Sequence, residues 1–311
     1  MAQQTRISHG YYQPYFYWMF PIVVAREAGL FAGRGVELDV HDIVAGGQPE
    51  DKAGWYKDAF VKGSRDFYFC CAWQGVYSTC QTGKGKIGAA LKSTLIKTFA
   101  IYTRPDSGIN DILDLTDRGT AIAVNLNADA HYVTLKNLLE FVPEEKIKLA
   151  HIGGVEKCLE ALMSKRVDAA TLAGPYAEAA EAIGYRKLLP LSRSEPTLVV
   201  FNDTLRIEAV SKFVDAINDA IGLINGDRRK YAERYRDEFS DAVRNHIPML
   251  KPHLAQVRGR VTLPVWASAE ALGREEFEGI HSFLMEQGLS VRGRGYEGAV
   301  ETRLPAAKSP G

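Results

Sequence analysis

Residues 7–40 change their hydrophobic period three times. The stretch from Ile7 to Gly10 reads as a strand, residues 11–18 are crowded with rings, an apolar helical stretch follows, and Glu37-Leu-Asp-Val40 alternates again. This order predicts strand, aromatic loop, helix, strand, which is a βαβ unit. Pro21 is expected in the first turn of the helix, where its missing N–H costs little, and Gly29 is expected to stop it. Further along, the pattern predicts a strand over 66–69. A longer helix is predicted over 207–225, with Val210, Phe213, Val214, Ile217, Ile221 and Leu223 near helical spacing. Two apolar stretches, 98–103 and 196–201, read as extended. The segment after Gly288 is rich in Gly, Arg and Pro and is expected to be surface or disordered chain.

A weak internal echo points to two similar halves. Residues 59–73 read AFVKGSRDFYFCCAW and residues 161–176 read ALMSKRVDAATLAGPY. Each is a helix end, a short basic turn, an Asp, an apolar strand and a loop with special residues.

Composition narrows the class without naming an activity. The chain has 311 residues, 46% hydrophobic and 24% charged, as an ordinary globular protein has. Lys+Arg and Asp+Glu both number 38, so no net field favours nucleic acid or an anionic membrane. No apolar run is long enough to span a bilayer. The start, MAQQTRISHG, lacks a basic segment followed by an apolar core. The expectation is a cytoplasmic protein, or a periplasmic one if a leader has been removed. Cys70, Cys71, Cys80 and Cys158 form no CxxC pair, so neither a zinc site nor a disulfide framework is expected. No metal and no cofactor are expected. G-x-S-x-G, P-loop, H-E-x-x-H and G-x-G-x-x-G motifs are missing from the sequence, and Gly33-Arg-Gly35 sits between a helix and a strand, the wrong order for a phosphate loop.

The run AREAGLFAGRGVELDV resembles a signature near the start of the type II periplasmic-binding-protein superfamily. The relatives it suggests are the nitrate, sulfonate and taurine binding proteins and the hydroxymethylpyrimidine (thiamine precursor) synthases. The resemblance covers about residues 7–289. It implies an α/β, two-lobed fold with a ligand cleft between the lobes. Lobe I would comprise 1–103 and 199–289, lobe II 104–198, with 290–311 as a C-terminal tail. Within lobe II the resemblance implies a helix over 109–115, a strand over 120–124, a loop over 125–129 and a helix over 130–141. The two extended segments would be crossovers between lobes, forming a hinge that lets the cleft close. The implied partners are a small-molecule ligand and, if the protein is exported, the membrane component of an ABC transporter; no nucleic acid is implied. Two departures matter. The pyrimidine synthases carry a CCCFC cluster in the second half of the chain, which has no counterpart here. The aromatic sulfinate desulfinases use a cysteine in the first-strand loop, and residues 11–18 contain none.

Six of the eight residues from Tyr11 to Trp18 are aromatic. Rings offer π faces, and Tyr adds a hydroxyl, so this loop suits a small molecule. In open α/β sheets, ligands sit at the carboxyl ends of strands, where the loop falls. Tyr11, Tyr12, Tyr15 and Trp18 are the candidate ring contacts and Gln13 a hydrogen-bonding one. The bland alternative is that these rings cap a core. Cys70-Cys71-Ala-Trp73-Gln74-Gly75 follows the 66–69 strand. There Trp73 could wall the cleft, and N–H groups at Gln74 and Gly75 could hold an anion. Cys70 or Cys71 would be the nucleophile if the protein is an enzyme. A buried Cys serving as a small hydrophobe explains them equally. Trp55 is expected to lie away from the cleft.

From the second lobe, Asn125, Asn127 and His131 are candidates for the polar end of a ligand, although Asn127 or Asp129 would also serve as a plain N-cap. Tyr176 and Glu178, after Gly174-Pro175, are further candidates, with Glu178 also explained by the helix dipole. The leading expectation is a binder of a compact aromatic or heteroaromatic ligand with a polar or anionic group. The rival is a cytosolic decarboxylase, desulfinase or hydrolase on the same fold. A ligand-sensing regulatory domain would need a DNA-binding segment that the sequence lacks.

Overall fold

The computed structural model describes residues 5–42, 60–289 and 293–304. Its strands form two bodies, the two lobes of an α/β fold. In the first lobe, β1 (Thr5–Tyr11) and β2 (Val36–Asp42) pair in parallel. They are linked by α1 (Phe16–Glu27) and the short α2 (Leu30–Gly33). β3 (Phe67–Cys71) and β4 (Lys86–Leu91), joined by α3 (Ala72–Thr82), flank β10 (Thr197–Phe201) antiparallel on either side. Ser8 ties β1 to this second sheet, donating its N–H and hydroxyl to Asp66 Oδ2 at 2.7 and 2.9 Å. The second lobe holds a five-stranded sheet in the order β7 (Leu149–His151), β6 (Ile122–Val124), β8 (Ala169–Leu172), β5 (Ala100–Thr103), β9 (Arg186–Pro190). Its helices are α4 (Ile112–Asp117), α5 (Asp129–Leu138), α6 (Val155–Met163) and α7 (Gly174–Ala182). The chain passes from the first lobe's sheet to the second's between Leu91 and Ala100, and returns between Pro190 and Thr197.

Both halves of the echo are strand-to-helix units, β3 into α3 and β8 into α7. Ala59, the first residue of the echo, lies outside the described residues. The strands β3 and β10 are buried along their whole length, as uninterrupted apolar runs predict. α8 (Ile207–Gly226) buries Val210, Phe213, Val214, Ile217 and Ile221 as expected, but Ile224 completes the stripe while Leu223 points out. α9 (Arg228–His246), α10 (Leu254–Arg258) and α11 (Arg274–Glu286) complete the helical layer. No helix among the described residues is long and apolar enough to cross a membrane.

Several boundaries differ from expectation for local reasons. The aromatic loop is mostly helical: a 3₁₀ turn, Gln13–Tyr15, opens with Pro14 near its start, and α1 follows at once from Phe16. Pro21 is therefore inside α1 rather than in its first turn, and the carbonyl of Tyr17 loses its usual i+4 donor. Gly29 does stop the helix, in the left-handed region at φ +68°. β3 runs two residues further than expected, so Cys70 and Cys71 are strand residues, not loop residues. α5 ends at Leu138, three residues early, leaving Phe141 exposed.

The C-terminal segment is the largest difference. Residues 293–304 are packed against the first lobe, not free on its surface. The helix α12 (Tyr296–Ala299) leads into Val300, which bridges Ile87 of β4. Glu301 donates its N–H to the Ile87 carbonyl at 2.9 Å, and the Cys80 thiol donates to the Arg294 carbonyl at 3.0 Å. Ala299 and Val300 are fully buried. Gly293 lies so close to the Cys80 carbonyl that any side chain there would collide with backbone. A composition rich in Gly and Arg concealed this because Gly is used for close approach and Arg for hydrogen bonds rather than for solubility.

Val300→Asp places an unpaired carboxylate in that buried contact. The expected loss is roughly 2–4 kcal/mol in urea unfolding of the full chain. An unchanged midpoint would show that the segment is not docked.

Candidate functional site

A cavity of about 100 Å³ opens at the carboxyl ends of strands from both lobes. Four strand-to-helix turns converge on it: β1 into α1, β3 into α3, β6 into α5 and β7 into α6. The first lobe supplies rings. Tyr12, Tyr15, Tyr17, Trp18 and Phe69 form the apolar wall. Tyr12 and Tyr15 meet edge to face with centroids 5.0 Å apart, and Tyr17 and Trp18 lie 5.1 Å apart. Pro14 causes this crowding: the tight 3₁₀ turn brings Tyr12, Tyr15 and Trp18 onto one side of the chain within two turns. The second lobe supplies polar atoms through Asn125, Asp129 and the Gly154-Val155 start of α6.

Of the residues expected at the site, Tyr12, Tyr15, Trp18, Gln74, Asn125, Cys70 and Cys71 line this cavity. The others are engaged elsewhere. The Tyr11 hydroxyl donates to Glu238 Oε2 at 3.2 Å. Gln13 Oε1 accepts from Asn245 Nδ2 at 3.0 Å on the surface. Trp73 is buried behind α3, against Tyr132. Tyr176 is fully buried and donates to the Pro14 carbonyl at 2.7 Å, so it supports the 3₁₀ turn instead of facing the cavity. Glu178 Oε2 accepts the Thr262 N–H at 3.0 Å. Asn127 and His131 border a separate hollow with Gln287 and Leu289. Neither Asn127 nor Asp129 is the N-cap of α5; Ala128 is. Asn127 is left-handed at φ +61°, and its N–H donates to His131 Nδ1 at 3.1 Å. Burial pushes the His131 imidazole down to about 4. Trp55 lies outside the described residues.

The cysteines sit where strand becomes helix. The Cys71 sulfur caps α3, accepting the Gln74 N–H at 3.4 Å. Burial pushes its thiol well above the ordinary range, and the nearby Asp129 carboxylate adds to the effect. That environment opposes a thiolate.

Pattern reasoning passed over several residues of the site. Arg193 comes from the returning crossover, whose sequence LSRSEP has no period to read. Its side chain is fully enclosed, stacked among Trp18, Trp73 and Phe99 at 5.1 to 5.7 Å. Nη1 donates to Asp129 Oδ2 at 2.8 Å and Nη2 to the Pro196 carbonyl at 3.3 Å. Burial nonetheless raises the Asp129 carboxyl above its usual range, against the pull of Arg193. His9 stacks on Phe67 and is pushed down to about 3 by burial, hence neutral.

Glu156, in the first turn of α6, is fully buried; its Oε1 accepts from the Tyr12 hydroxyl at 3.5 Å and its Oε2 has no partner. Burial pushes its carboxyl up to about 7, although its own N–H and Lys157 act the other way. In sequence, a Glu in a first helical turn looks like simple dipole compensation.

Glu156 gives the fold a measurable pH dependence. Its folded pKa is raised, so the folded protein holds a proton that the unfolded chain releases between about pH 4.5 and about 7. Stability therefore falls as pH rises through that window, by up to the order of 3 kcal/mol from this group. Glu156→Gln should flatten that part of the stability–pH curve in urea titrations. Parallel curves for the two proteins would refute the assignment.

No family profile and no curated protein sequence matches the chain. Solved structures do. The alkanesulfonate-binding protein SsuA from Xanthomonas axonopodis pv. citri, bound to MOPS, superposes with a TM-score of 0.68 at 16% identity, covering 93% of this chain and 95% of that one. The periplasmic aliphatic sulphonate binding protein SsuA from Escherichia coli gives 0.69 at 15% identity, covering 98% and 97%. The desulfurization enzyme DSZB gives 0.57 at 16% identity, covering 95% and 96%. With its two lobes, its two crossovers and a cavity at the converging strand ends, the chain has the type II periplasmic-binding-protein fold.

Proposed function

We propose that the protein binds a compact small molecule, aromatic or heteroaromatic with a polar group, in the cleft between its lobes, as a substrate-binding protein does. One observation carries this reading: a single cavity takes its rings from the first lobe and its polar groups from the second. A ligand held by both would stabilise the closed arrangement by its differential affinity for it. The lobes divide at the crossovers, residues 92–99 and 191–196, with the second lobe spanning about 100–190. These segments are the hinge. If the protein is exported, the closed form is the one a transporter's membrane component would receive. The sulfonate-binding neighbours support ligand binding on this fold; their ligands are their own.

The test is a thermal-shift screen of small aromatic compounds, followed by small-angle scattering with a saturating hit. A raised melting temperature and a smaller radius of gyration are expected; no hit, or a hit without compaction, counts against the reading. Tyr15→Ala should weaken binding of that hit by about 1–3 kcal/mol, the range for loss of one stacking ring. Trp73→Ala should instead lower stability, because its ring belongs to the core.

A second reading, an enzyme on the same fold, draws on Cys70 and Cys71 in the cavity wall and on the likeness to DSZB. The raised Cys71 thiol weighs against it. Iodoacetamide at pH 7 should therefore leave both thiols unmodified in the native protein, and a Cys70→Ser, Cys71→Ser double variant should keep its affinity. Rapid alkylation that ligand prevents would favour the enzyme.

A further inference from the structure

The polar atoms around the cavity are one-sided. Among the described residues, no Lys or Arg lines it, and its one imidazole, His9, is neutral. Arg193 stands behind Trp18 and is committed to Asp129. Among the described residues, the buried side-chain atoms without a hydrogen-bond partner include Asp129 Oδ1, Asn125 Oδ1 and Glu156 Oε2, and also His9 Nδ1 in the cavity wall. Asp129 and Asn125 line the cavity directly. Glu156 is not itself in the cavity wall: its carboxylate packs against Gly154, which is, and any side chain at Gly154 would collide with that carboxylate and with the Tyr15 hydroxyl. The Asn125 amide can turn its NH₂ inward; Glu156 loses its proton only near pH 7, and above that pH, as ionised carboxylates, it and Asp129 only accept.

Buried acceptors left unpaired are costly, charged ones most of all. An anion placed among them would add repulsion to that cost, and the helix ends facing the cavity return less than two unpaired carboxylate oxygens lose. A donor removes the cost outright. We propose that the cleft selects a small aromatic molecule bearing N–H donors, of the amidinium or ring-amine class, which gives those protons to Asp129, Asn125 and Glu156, and that it disfavours anions of the same size. This rests on the cleft being the ligand site and names the chemistry of its ligand. The rings of Tyr15 and Trp18 complete such a site, since a delocalised cation is attracted to π faces.

Benzamidine and benzenesulfonate share one ring and differ in the group that matters. In calorimetry at pH 7.5 on the unaltered protein, benzamidinium is expected to bind at least tenfold more tightly than benzenesulfonate. Asp129→Asn and Glu156→Gln should each weaken benzamidinium at least tenfold without weakening benzenesulfonate. Asp129→Asn also unpairs Arg193, so Glu156→Gln is the variant that decides if the first fails to fold. Equal or tighter binding of benzenesulfonate overturns the inference while leaving the cleft as the ligand site. Binding of neither probe also overturns it, and the thermal-shift screen then decides separately whether the cleft binds anything.

Discussion

One guanidinium connects every part of this cleft. Arg193 leaves the returning crossover, pairs with Asp129 at the start of α5 in the second lobe, and stacks on Trp18 and Trp73 of the first lobe and on Phe99 beside the outgoing crossover. Both crossover segments and both lobes therefore meet around a single buried charge. Such a pair adds little net stability over an apolar replacement, because taking both ions out of water offsets their attraction. Breaking it is another matter: removing either partner strands a buried charge, at a cost of about 3–5 kcal/mol. The pair acts as a specification, fixing which residue of α5 meets which ring of α1. It also uses Oδ2 of Asp129 and leaves Oδ1 free of protein partners.

That division of one carboxylate explains how the site can hold unsatisfied atoms at all. Free, partnerless acceptors in a closed interior are a liability, and a core selected for stability alone would remove them. Here they gather at one cavity, next to rings that are otherwise well packed. Tyr12, Tyr17 and Tyr176 are raised above their ordinary pKa by burial first and by the Glu156 carboxylate second. The cluster is thus rich in acidic groups and poor in compensating cations. The rest of the molecule supports it with large apolar contacts, such as Phe16 and Phe20 against Tyr235.

The fold was legible because it rests on period and punctuation. The βαβ opening, the Gly29 stop, the strand-to-helix echo and the apolar segments 98–103 and 196–201, which form β5 and β10 beside the crossovers and not the crossovers themselves, are local signals that tertiary structure had no reason to override. The site was legible only in part. Tyr12, Tyr15 and Trp18 announce themselves by density of rings, and Asn125 by its place after a strand. Trp73 and Tyr176 carry the same chemistry but are buried in the core, and sequence offers no way to tell which face of a segment meets solvent. Arg193 and Glu156 were hidden for the opposite reason: each has an ordinary surface explanation in sequence, and only burial changes its meaning.

Fold and ligand separate for the same reason. Near 16% identity, the likeness to the sulfonate-binding structures is one of overall fold, which many apolar sequences satisfy. Ligand choice depends on a few atoms at the strand ends. A lysine or arginine at any one of several turns would convert an acceptor-lined cleft into an anion site without disturbing a strand. This chain instead spends its nearest arginine on Asp129 and lets burial discharge His9. The sign of the cavity is therefore set by one pairing and one burial, not by the fold. For that reason anything entering the cavity would meet Asp129 and Asn125 whatever proteins of similar fold bind.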